Sequence, residues 1–210
     1  MGDGLAKRTH KPVFIIAGLV ILIIIVVALL SSYWPKQEKW FIELGLLDED
    51  MMADAFFSKT DSTVDLGEPN SWFIYIHNHL ASTQDIRVKV KLTNSTEELP
   101  DDRKHQHSNA TSFIEFPLRI SINETAYIPF SWSIIQAETE SDLVVIKRLA
   151  INEQPLEVDI SASFTPSFRL VFELWVLDPS SGEYRFGWES EEGFFSASLY
   201  MAFRVNTSIL

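Results

Sequence analysis

Four of the five histidines fall in two His-x-His pairs, His77/His79 and His105/His107. On a β-strand the side chains at i and i+2 share a face, so each pair could present two imidazoles to one ion. Asp101 and Asp102 lie near the second pair, and copper or zinc would suit such ligands. A plainer reading competes. His105 and His107 stand in a polar stretch with Arg103 and Lys104, where side chains are solvated, and His79 follows Asn78, where such residues bond to a turn. No helical or cysteine-containing ligand pattern supports a metal site. Metal handling is therefore the alternative function, and no cofactor is expected.

Other chemistry is not marked out. The acidic residues Asp48, Glu49, Asp50, Asp54, Asp61, Asp65 and Glu68 do not follow the EF-hand calcium pattern and read as a solvated loop. Glu189, Glu191 and Glu192 read the same way. No G-x-S-x-G, H-E-x-x-H, P-loop or dinucleotide fingerprint occurs. Serine is abundant, but no Ser, His and acidic residue stand out as a set, so an enzyme is not expected.

Four of the seven asparagines open Asn-x-Ser/Thr sequons: Asn94, Asn109, Asn123 and Asn206. Chance would give about one at this Ser/Thr content. The pattern points to a glycosylated surface domain.

These residues need elements to hold them, and the first element is not a sheet. Val13 to Leu30 is an uncharged run of 18 residues, and Ser31–Trp34 extends it to 22. At about 1.5 Å per residue the run covers roughly 33 Å, against a hydrocarbon core of about 30 Å. Tyr33 and Trp34 suit an interfacial aromatic belt, and Pro35 can end the helix. Lys7, Arg8 and Lys11 precede the run. The expected layout is a cytoplasmic tail 1–12, a transmembrane helix 13–34, a linker 35–39 and an extracytoplasmic domain 40–210, in the cell membrane with the N-terminus inside. A cleaved signal peptide fits less well, because the apolar run is long and Ala28–Ser32 is a poor cleavage site. The run contains no ionisable residue for a conduction path and no G-x-x-x-G face. It can still pack on the spans of a larger complex.

The charge is −12 overall. Residues 1–12 carry a local +2 from Lys7, Arg8 and Lys11 against Asp3, leaving −14 for the rest. A surface this acidic repels phosphate backbones, which argues against a nucleic-acid partner. The absence of cysteine excludes disulfides, thiolate metal sites and cysteine nucleophiles, and leans towards a prokaryotic source. Fifteen Phe and six Trp can supply a core without covalent cross-links.

Past residue 40 the period is two. Trp40–Leu47 and Trp72–His77 read as strands. Asp85–Leu92 alternates Ile86, Val88, Val90 and Leu92 against Arg87, Lys89 and Lys91, a half-exposed antiparallel strand. Between the first two strands, Met51–Phe57 could form one helical turn. Thr93–Ser112 reads as a long surface loop, and Phe116–Ile122 with Ala126–Ile134 as a hairpin about Asn-Glu-Thr. Glu138–Ser141 breaks the pattern, and Leu143–Leu149 is open between strand and helix. Leu156–Phe164 alternates again. Phe168–Leu177 is apolar on both faces and should be central, followed by the turn Asp178–Gly182. Tyr184–Trp188 returns as a partner, and Ser196–Val205 closes the domain. Seven to nine strands without a long amphipathic helix predict a mainly β fold: an antiparallel β-sandwich of immunoglobulin-like layout behind one N-terminal transmembrane helix.

Trp-Phe-Ile-Glu-Leu-Gly at 40–45 resembles the opening strand of an archaeal family known as domain of unknown function 1616. Ile-Tyr-Ile-His-Asn-His at 74–79 is similar to that family's Asn-His strand end, with Leu80 where the family has Glu. Leu-Val-Phe-Glu-Leu-Trp at 170–175 and Leu-Tyr-Met-Ala-Phe-Arg-Val at 199–205 resemble its late strands. The resemblance implies an archaeal, membrane-anchored, extracytoplasmic β domain and implies no activity. Together these readings predict a non-enzymatic binding or structural module: an accessory subunit of a membrane complex or cell envelope, touching lipid through its helix and other membrane or envelope proteins through its domain.

Overall fold

A computed structural model of the chain describes residues 20–27, 29, 41–163, 168–190 and 192–209. The chain divides into two units, Met1–Glu38 and Lys39–Leu210. In the first, residues 20–27 and 29 are helical with exposed apolar side chains. Among the described residues no helix is long and apolar enough to cross a membrane. The remainder of the expected span 13–34, the tail 1–12 and the linker 35–39 lie outside the described residues.

The second unit is mainly β. Its strands are β1 (Ile42–Asp48), β2 (Thr63–Val64), β3 (Asn70–Asn78), β4 (Gln84–Thr93), β5 (Ser112–Ile120), β6 (Thr125–Glu140), β7 (Leu143–Ile151), β8 (Gln154–Ser163), β9 (Phe168–Asp178), β10 (Glu183–Phe186), β11 (Trp188–Ser190), β12 (Gly193–Phe195) and β13 (Ser198–Val205). One sheet has the order β1-β3-β6-β7-β8. A second runs β2-β13-β9-β4-β5, with β10 beside the far end of β9, and β11 and β12 form a two-stranded sheet of their own. The pairings are antiparallel except β13 with β2.

Alternation explains the layers. In β3 the side chains of Trp72, Ile74 and Ile76 are buried while their neighbours are only partly covered. In β4, Ile86, Val88, Val90 and Leu92 point into the same core, as the sequence predicts. Aromatic rings join the two sheets across it: Phe130 and Phe172 lie 5.2 Å apart, Trp132 and Phe203 4.8 Å, and Phe116 and Phe130 6.1 Å. β9 is central, flanked by β4 on one side and by β13 and β10 on the other. Its outward Val171 and Glu173 are as fully buried as its core face.

Several expectations are corrected. Residues 116–122 and 126–134 do not form a hairpin: β5 pairs with β4, and β6 with β3 and β7. The chain crosses between sheets there, pinned to Asn78. The Asn78 side-chain amide donates to the carbonyls of Ser82 (2.9 Å), Ser121 (3.0 Å) and Ile120 (3.3 Å), and its Oδ1 accepts from the Leu80 amide (3.0 Å). Met51–Phe57 forms no helical turn. The Asp48 carboxylate takes the amides of Asp50, Met52 and Ala55, Met51 has φ +63°, and Phe56 and Phe57 pack edge-on against Trp72. Residues 138–140 do not break the strand; β6 runs to Glu140, and 143–151 is strand.

Candidate functional site

The open side of the sandwich lies where the outermost strands β5 and β8 each lack a neighbour among the described residues. A cleft of about 850 Å³ occupies it. Its floor is apolar, from Leu92, Phe113, Leu156, Val158 and Ile160, and its rim is acidic, from Glu97, Glu98, Glu157 and Asp159. The alternation of β8 makes this two-sided surface: even-numbered residues 156, 158 and 160 turn to the floor, and odd-numbered 157 and 159 stand exposed.

The loop 94–111 forms the other wall, and its fastening is polar. Asn94 Oδ1 accepts from the amides of Thr96 (2.9 Å) and Glu97 (3.2 Å) and from the Thr96 hydroxyl (2.7 Å), while its Nδ2 donates to the Ser161 carbonyl on β8 (3.0 Å). Arg169 of β9 donates to the carbonyls of Ser95 and Glu97. At the loop's return, Ser108 is buried. Its amide donates to Glu173 Oε1 (2.7 Å), and its carbonyl accepts from Lys91 Nζ (2.6 Å).

Beneath that residue lies an ion pair. Lys91 Nζ and Glu173 Oε2 are 2.8 Å apart, with side chains 4% and 0% exposed. Taking either charge out of water costs several kcal/mol, which only mutual attraction and filled hydrogen bonds offset. Both conditions hold: Glu173 accepts from Lys91, the Ser108 amide and the Trp175 indole N–H (3.0 Å). The strand read as half-exposed is therefore covered at Lys91. Its other basic residues are engaged too, Lys89 over the Trp175 ring and Arg87 over Tyr184. The signal for this pair is Glu173, a charge inside the apolar run Leu170–Trp175.

The loop tip is also tied down. Asp102 accepts from the Ser198 hydroxyl (2.8 Å) and amide (3.2 Å). Burial pushes its carboxyl above the usual range, against the lowering effect of those bonds. Asp101 pairs instead with Lys104 at 3.0 Å.

The two histidine pairs are placed differently. His77 and His79 do come together, with ring centroids 4.0 Å apart. The His77 Nδ1 contacts Thr125 Oγ1 (2.6 Å) and its Nε2 contacts Asn123 Oδ1 (3.3 Å). His79 stacks on Phe41 and lies 3.6 Å from Glu43. His105 meets Ser196 and Phe194, and His107 meets the Ser108 carbonyl and Trp175. Among the described residues no three His, Cys, Asp or Glu side chains are grouped to hold a metal ion. The sequons divide in two. Asn109 and Asn123 are exposed, Asn109 beside the cleft; Asn94 and Asn206 are half-buried, with Nδ2 bonded to Ser161 and Asp65.

No family model matches the chain, and no curated protein matches it. Among solved structures it is similar to a CARDB domain from Pyrococcus furiosus in complex with di-metal ions, at 10% identity over 79% of this chain and 90% of that one, with a TM-score of 0.36. It is also similar to the sporulation control protein Spo0M from Bacillus subtilis, at 10% identity over 80% of this chain and 50% of that one, TM-score 0.38. A third is the alkylpurine DNA glycosylase AlkC from Pseudomonas fluorescens, bound to DNA containing an abasic site analog: 12% identity, 78% of this chain and 30% of that one, TM-score 0.31. At these values the likenesses bear on no question of activity.

Proposed function

We propose that this chain is a non-enzymatic binding module of immunoglobulin-like layout, held at the outer face of a cell membrane by the segment 13–34, and that it serves as an accessory subunit of a membrane complex or of the cell envelope. The observation that carries the binding role is the cleft: an apolar floor between two sheet edges, walled by a loop that a buried ion pair holds in place. A site with a fixed wall loses little conformational freedom when it is filled. The anchor rests on the uncharged run Val13–Leu30 with its basic N-terminal flank. An acidic rim and an acidic chain disfavour nucleic acid. The archaeal source and the domain-of-unknown-function 1616 resemblance belong to the same proposal, carried by residues in β1, β3, β9 and β13.

Purification of the native full-length protein in mild detergent tests it. Membrane proteins co-purifying in fixed ratio are expected. Recovery as a freely soluble species without detergent, or protection of residues beyond 40 from protease added to intact cells, would end the reading.

The alternative, metal handling, draws on the 4.0 Å approach of the His77 and His79 rings. Titration of the full chain with copper or zinc separates the two. The binding-module reading expects no saturable heat, because the His77 ring nitrogens already face Thr125 and Asn123.

A further inference from the structure

Strand β8 ends the five-stranded sheet, and among the described residues it pairs with β7 alone. An outermost strand presents a row of unused N–H and C=O groups, which proteins blunt with proline or charge. The facing edge strand β5 carries Pro117 at mid-strand. In β8 the proline is Pro155, near the start, which leaves 156–160 able to pair; beyond it the Ser161 carbonyl is already taken by Asn94 Nδ2. What guards that stretch is charge, from Glu157 and Asp159 with side chains 82% and 77% exposed, together with an irregularity in its register against β7 between Glu157 and Ile160.

Those carboxylates repel an acidic strand and attract a basic one. The cleft beside them holds Glu97 and Glu98 as well, and no lysine or arginine among its described lining residues. Lys147 lies 3.1 Å from Asp159, and Arg148 is 3.9 Å from Glu157, so these two are partly matched from β7.

We propose that the cleft takes an extended segment of a partner protein that alternates apolar and basic residues, added along β8 as a further strand of the sheet. Main-chain bonds to the β8 edge would supply affinity, and alternation would supply selectivity. The apolar side chains would enter the floor against Leu156, Val158 and Phe113. The basic ones would stand beside Glu157 and Asp159. This deepens the binding-module reading by giving the chemistry of the partner.

The probe is a blocked hexapeptide of alternating valine and lysine, added to the full-length protein in detergent and followed by calorimetry. Saturable binding that weakens at high salt is expected. The variant Glu157→Lys with Asp159→Lys should bind roughly ten-fold or more weakly. Both residues are exposed, so their replacement opens no cavity in the core. N-methylating one alternating set of peptide amides should abolish binding, and N-methylating the other set should not, since only alternate amides of an added strand point at its neighbour. Equal binding of a valine/glutamate peptide, or retention of binding by both methylated forms, overturns the proposal. Co-purifying membrane subunits with a peptide that fails to bind would sink this inference and spare the accessory role. Peptide binding without any co-purifying subunit would do the reverse.

Discussion

Lys91 and Glu173 form an ion pair 2.8 Å long on adjacent strands, with both side chains almost wholly out of solvent. The pair lies on the outward face of its sheet, away from the aromatic core, and is covered by Ser108 of the loop that walls the cleft. Removing one partner leaves the other charge buried and unmatched. Lys91→Met is expected to cost about 3–5 kcal/mol in chemical unfolding followed by tryptophan fluorescence. Adding Glu173→Gln to it should recover part of that loss. A single-variant cost below about 1 kcal/mol would show that the pair is open to water.

Asn78 should be as sensitive. It is fully buried and bonds three carbonyls across the two sheet crossovers. Asn78→Ala strands those acceptors and should lower stability by about 2–4 kcal/mol. Asn78→Asp should do worse, because a carboxylate would face three carbonyl oxygens. Thermal melts of the two variants check the order.

Two aspartates should shape stability against pH in opposite senses. The Asp48 carboxyl is held below its ordinary 3.8, chiefly by the Met52 amide and opposed by burial. The folded chain therefore binds this proton later than the unfolded one. The stabilisation is full above 3.8 and is lost as pH falls through the folded value. Asp102 is raised above 3.8 by burial, so its ionisation penalises the fold progressively as pH rises from 3.8 through that higher value. Unfolding profiles should show Asp48→Asn flattening the acid limb. Asp102→Asn should remove a loss of stability on the rising side; a loss that persists unchanged would assign it to another group.

Glycopeptide mass spectrometry of native protein should find sugar on Asn109 and Asn123 and bare side chains at Asn94 and Asn206. The first two are exposed. The other two spend Nδ2 on Ser161 and Asp65, and their Oδ1 atoms accept from the Thr96 and Ser208 hydroxyls. Occupancy at Asn94 equal to that at Asn109 would mean that modification precedes folding.

Period-two patterning made much of the sandwich readable. It marked the core face of β4, and the two-sided apolarity of Phe168–Leu177 placed β9 in the middle. What it reports is a face, not a neighbour. Two successive apolar runs look alike whether they lie side by side or meet across a core, and Phe116 against Phe130 is the second case. Nor does alternation reveal what later folds over an outward residue. Lys91 reads as solvated until Ser108, 17 positions on, closes over it. The floor of the cleft was visible as the alternation of Leu156, Val158 and Ile160. Its wall was not, because Asn94 and Arg169 set the loop through contacts distant in sequence.

The order β1-β3-β6-β7-β8 puts the strand that continues from the N-terminal segment at one end of the sheet and the cleft-bearing strand at the other. Four steps of about 4.8 Å separate them by roughly 19 Å. A pull entering at Ile42 would be met first by the seven residue pairs between β1 and β3, and would reach a partner seated on β8 only across the pairings of β3, β6 and β7.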